Sequence, residues 1–125
     1  MVLLDTSIWI RNWAGREPYV AECHRLLRQR LAAGHAMVHG ELLMGGRPGH
    51  RRAVLLDDIR ILPWLPEVPH DQVAAVVRSR ALAGRGMGWV GANLLASALA
   101  AGARLWTADA ALAEAAEEAG VAWRP

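Results

Sequence analysis

Val2-Leu3-Leu4-Asp5-Thr6-Ser7-Ile8-Trp9 joins a three-residue apolar run to three capping residues and then to an apolar helix start. The apolar run reads as a short buried strand. Asp, Thr and Ser each offer a side-chain oxygen to the unpaired amides at a helix N-terminus. A strand that feeds a helix at once is the opening move of a parallel α/β unit. Residues 8–13 are predicted as that helix, closed by Gly15 and Pro18.

The same grammar returns near the other end of the chain. Arg104-Leu105-Trp106 reads as a strand, Thr107-Ala108-Asp109 as the cap, and residues 110–119 as a helix ended by Gly120. Val121-Ala122-Trp123 reads as a last short strand.

Between these ends, Val20, Cys23, Leu27 and Leu31 recur at helical spacing, which predicts a helix over residues 19–33 closed by Gly34. Ala36-Met37-Val38 reads as a second strand, turning into Glu41-Leu42-Leu43-Met44 and a loop at Gly45-Gly46-Arg47-Pro48-Gly49. A helix is predicted over residues 50–58 and a weaker strand over 59–62, closed by Pro63, Pro66 and Pro69. A further helix starts at His70 or Asp71, with Val73, Val76, Val77 and Ala81 on one face. After the loop Gly84-Arg85-Gly86-Met87-Gly88, residues 89–101 are almost wholly apolar and read as a buried helix. The prediction is a single domain over residues 1–125: a three-layer α/β/α fold with a central, mostly parallel sheet of four to five short strands.

Composition narrows the chemistry. The 125 residues suffice for one core, and 54% hydrophobic with 21% charged is a globular balance. All 14 basic residues are Arg, so Schiff-base chemistry and a Walker A lysine are excluded. The net charge of +2 permits a polyanionic partner without demanding one. One cysteine, Cys23, excludes an intramolecular disulfide and a cysteine zinc site. No stretch reads as a signal peptide or a membrane span, so a soluble cytoplasmic protein is expected. His35 and His39 stand four apart, but the strand and glycine signals around them argue against a helical metal pair. Gly84, Gly86 and Gly88 have no preceding strand and so do not make a dinucleotide loop.

In a parallel α/β sheet, function gathers beyond the carboxyl ends of the strands. Asp5 follows the first strand, Glu41 begins the helix after the second, and Asp109 follows the strand of Arg104-Leu105-Trp106. Carboxylates brought together repel unless a cation offsets them, and hard oxygen ligands suit Mg²⁺ or Mn²⁺. Each acid also has a plainer role, since all three sit where a carboxylate caps a helix or favours its positive end. Spacing alone leaves both readings open.

Asp5-Thr6-Ser7-Ile8-Trp9, Gly40-Glu41-Leu42-Leu43-Met44-Gly45, Gly86-Met87-Gly88-Trp89-Val90 with Leu94-Leu95-Ala96-Ser97-Ala98, and Leu105-Trp106-Thr107-Ala108-Asp109-Ala110-Ala111-Leu112 occur in series. In that order they resemble the PIN domain, and more narrowly the VapC-type toxins of bacterial toxin–antitoxin pairs. The resemblance implies an endoribonuclease using Mg²⁺ or Mn²⁺, with Asp5, Glu41 and Asp109 as metal-holding and catalytic acids. It makes Thr6 and Thr107 candidate hydrogen-bonding supports, beside their role as caps. It also implies a VapB-type antitoxin partner, an RNA substrate (transfer RNA among the candidates) and a homodimer.

One position departs from the family pattern. The residue after Trp89-Val90 is expected to be an acid, and here it is Gly91. The site is therefore read as impaired. A water could fill the gap, the chain could be an inactive relative that retains antitoxin or RNA binding, or the glycine could be a loss-of-toxicity change. If RNA is the substrate, Arg47, Arg51, Arg52 and Arg85 are candidate phosphate contacts. Trp9 and Trp13 are candidates for base stacking, or for core or partner contacts.

Overall fold

The computed structural model describes residues 1–45 and 50–125, with the side chains of residues 50–54 outside that description. β1 (Val2–Leu4) is the middle strand of a parallel sheet ordered β2-β1-β3, between β2 (Ala32–Ala33) and β3 (Arg104–Trp106). Val2 pairs with Ala32 and Arg104, Leu3 with Ala33 and Leu105, and Leu4 with Trp106.

α1 (Thr6–Trp13) and α2 (Tyr19–Arg28) connect β1 to β2. The return to β3 runs through α3 (Ala36–Met44), α4 (His50–Arg60), α5 (His70–Ser79) and α6 (Trp89–Ala101), and α7 (Ala110–Glu118) follows β3. The two crossovers travel in opposite directions across the sheet. Right-handed connections then put their helices on opposite faces. That reversal places the switch point, where such sheets open a crevice, beyond the carboxyl ends of β1 and β3.

Leu3 and Leu4 of β1, Ile8 of α1, Leu26 of α2, Leu94 and Leu95 of α6 and Leu105 of β3 are buried in one core. Each such side chain contributes roughly 1.5–3 kcal/mol on burial. α6 is buried from Ala92 through Ala98, as its uniformly apolar sequence predicts.

Several expectations need correction. The sheet has three strands among the described residues, not four to five. The tail strand reduces to a single bridge between Leu105 and Ala122, and the strand expected at 59–62 is the end of α4 and a turn. The second strand lies at Ala32–Ala33 rather than at Ala36-Met37-Val38, which opens α3 instead. Alanine is a good helix former, but pairing with Val2 and Leu3 overrides that preference. α2 accordingly ends at Arg28, and Arg30 turns the chain with φ 57°. Gly34 serves a close approach rather than a helix end: a Cβ there would stand 2.7 Å from Trp64 Cδ1.

Candidate functional site

The register of β1 against β3 sets Asp5 beside Thr107, and Asp5 N–H donates to Trp106 C=O at 3.0 Å. Asp5 is 8% exposed and caps α1. Its Oδ1 accepts from Thr6 N–H at 2.7 Å, and its Oδ2 accepts from the Ser7 and Thr107 hydroxyls at 2.8 and 2.7 Å. Those hydroxyls in turn accept backbone amides, Ser7 from Ala108 and Thr107 from Asp109, both at 3.0 Å. An amide can only donate, so both hydroxyl protons are left for Asp5. The network holds Asp5 as an acceptor with fixed orientation.

Glu41 lies deep in α3 rather than at its start, a correction that follows from the earlier strand and the new cap. That cap is His35, whose Nδ1 accepts from Met37 N–H at 3.0 Å. Thr6 donates its hydroxyl to Glu41 Oε1 at 2.7 Å, tying α3 to the start of α1. Asp109 caps α7, its Oδ1 accepting from Leu112 N–H at 2.8 Å. Asp5 and Asp109 are thus helix caps that also line a common pocket.

All three acids line one open pocket of about 370 Å³, with Thr6, Ser7, Ile10, Arg11, Met87, Gly88, Val90, Gly91 and Leu112 among its other walls. A Cβ on Gly91 would meet Met87 Cγ at 2.9 Å, so the methionine occupies the space of a larger side chain. Among the described residues, no three acids, histidines or cysteines stand close enough to hold a metal directly. Direct ligation by three carboxylates does not fit. A hydrated hard cation does: Glu41 and Asp109 each have one oxygen outside the hydrogen bonds above, and Mg²⁺ is commonly held through one or two carboxylates and several waters.

The other candidates fall elsewhere. Arg85 forms a two-pronged pair with Glu118 at 2.9 Å and does not line the pocket. Arg47 and the side chains of Arg51 and Arg52 lie outside the described residues. Trp9 is 4% exposed and belongs to the core, with Trp13 packed beside it. His35 is fully buried against Ser97, and His39 packs on Trp64. Ser7 and Arg11 are pocket residues that the sequence reading does not single out. Ser7 is legible there only as a cap, and Arg11 has no signal beyond its place one turn after Ser7.

No family model matches the chain. Ribonuclease VapC32 of Mycobacterium tuberculosis, from strains CDC 1551 / Oshkosh and ATCC 25618 / H37Rv, is 44% identical over 123 residues, covering 98% of this chain and 95% of the relative. Two crystal structures share the fold: PAE2754 from Pyrobaculum aerophilum, with TM-score 0.61, 20% identity and coverage of 91% and 83% of the two chains, and FitAcB from Neisseria gonorrhoeae, with TM-score 0.61, 23% identity and coverage of 94% of each. With 44% identity to VapC32 along nearly its whole length, the chain belongs to the VapC family of PIN-domain ribonucleases.

Proposed function

We propose that the chain is the endoribonuclease toxin of a VapBC-type pair and hydrolyses RNA phosphodiesters at the Asp5, Glu41 and Asp109 pocket. The observation that carries the reading is the gathering of three carboxylates, from the starts of α1 and α7 and from within α3, around one opening. Asp5 is the fixed member, Glu41 is oriented by Thr6, and Asp109 is oriented by the start of α7. Glu41 and Asp109 are the groups available to orient an attacking water and take its proton. Mg²⁺ or Mn²⁺, held through Asp5, Glu41 and Asp109 with intervening waters, belongs to the proposal. The chemistry such an ion supplies when bound is Lewis acidity toward a phosphoryl oxygen and an acidified water.

The proposed setting has RNA as substrate, which the ribonuclease relatives support, and adds a VapB-type antitoxin as partner, a homodimer as the assembly and the cytoplasm as location. Among the described residues, no helix is long and apolar enough to cross a membrane. Gly91 favours a second reading, an inactive member of the family that retains antitoxin or RNA binding. Cleavage of an RNA pool containing transfer RNA, with Mg²⁺ or Mn²⁺, separates the two. The first reading expects cleavage that Asp5→Ala abolishes. No cleavage by the chain or by Gly91→Asp would overturn it and leave the binding reading.

A further inference from the structure

The pocket has three acidic walls, yet the substrate proposed for it is a polyanion. Arg11 is the basic side chain among its described lining residues. It sits one turn after Ser7 on α1, and helical side chains lean back toward the N-terminus of their helix. Its Nη1 accordingly donates to Ser7 C=O at 3.2 Å.

One further contact holds the guanidinium in place, and a second fixes the ring that makes it. It lies 5.6 Å from the centroid of the Tyr19 ring, and Tyr19 stacks on Trp106 with centroids 5.9 Å apart and planes 19° from parallel. Trp106 is a buried residue of β3, so the stack is anchored in the sheet. Arg25, Arg85 and Arg124 each pair with a glutamate, whereas Arg11 makes no ion pair among the described residues. A guanidinium has five N–H donors, and a planar fork held in advance suits two-pronged binding of a phosphate.

We propose that Arg11 is the phosphate anchor of this pocket, its guanidinium held by Tyr19 to receive an RNA phosphate beside the three carboxylates. The inference rests on the ribonuclease reading above and names how the same site engages its substrate. A purely structural Arg11, serving the last turn of α1, would leave RNA affinity and its salt dependence unchanged.

The test is binding of a single-stranded RNA oligonucleotide in EDTA, followed by fluorescence anisotropy across a salt series, for the full chain, Arg11→Gln and Arg11→Lys. Losing one phosphate contact should flatten the slope of log K against log salt by about 0.7 in Arg11→Gln. Arg11→Lys should keep the slope and bind several-fold more weakly, because it retains the charge and loses the fork. An unchanged slope in Arg11→Gln overturns the proposal. Should Arg11→Gln fail to fold, unchanged affinity in Arg11→Lys overturns it instead. Cleavage with Mg²⁺ by the chain, lost in Asp5→Ala, tests the underlying reading separately, so a failure of Arg11 alone is distinguishable.

Discussion

Gly91→Asp is the most informative single change. Gly91 is the third residue of α6, whose cap Gly88 offers no side-chain bond and whose first turn has no acid. A carboxylate there gains about 0.3 kcal/mol in helix propensity. It gains about 0.3–1 kcal/mol more from the positive end of the helix. Against this, the new Cβ meets Met87 Cγ at 2.9 Å, and the added charge faces Asp5, Glu41 and Asp109 across the pocket. Methionine is flexible and can swing aside, while the Leu112 methyls at 3.6 Å are in ordinary contact. The terms nearly cancel, so stability in EDTA should stay within about 1 kcal/mol, or roughly 5 °C in Tm. Added Mg²⁺ should then separate the proteins. If the extra carboxylate tightens binding tenfold, the stabilisation by saturating ion rises by about 1.4 kcal/mol over that of the unmodified chain. Thermal melts in EDTA and in excess Mg²⁺, read beside RNA cleavage, measure both effects. A loss above about 3 kcal/mol in EDTA would show that Met87 cannot yield, since overpacking costs of that order. Equal Mg²⁺ shifts in the two proteins would refute the reasoning about the ion.

Three further outcomes are expected. Gly34→Ala should cost about 1–3 kcal/mol in urea melts, because the Trp64 ring stands 2.7–2.8 Å from the new Cβ; a neutral result would mean the ring moves freely. Burial lowers the pKa of His35 below its usual 6.5, with Glu67 opposing the shift. The unfolded chain therefore takes up the proton first, and stability present above that pH is lost as pH falls through the window between the two values, by up to about 1.4 kcal/mol per pH unit. His35→Gln should show a shallower loss on acidification. Burial pushes the Cys23 thiol up to about 12, so a thiol reagent at neutral pH should label it only on unfolding; rapid labelling of the folded protein would contradict its placement.

The strand-to-helix steps at Asp5 and at Asp109 were legible because each packs its signal into a few neighbouring residues: an apolar run, then a capping side chain. The buried helix α6 was legible for the same reason, having no polar face to misread. What local pattern could not decide was β2, where two alanines become a strand only because β1 offers them partners. Nor could it place the start of α3, where the cap is a histidine whose orientation depends on Ser97, 62 residues away. The acids were named from the chain alone. Their common pocket, the hydroxyl network around Asp5 and the arrival of Arg11 on a Tyr19–Trp106 stack were decided by tertiary structure, because each joins residues whose separation in sequence carries no local signal.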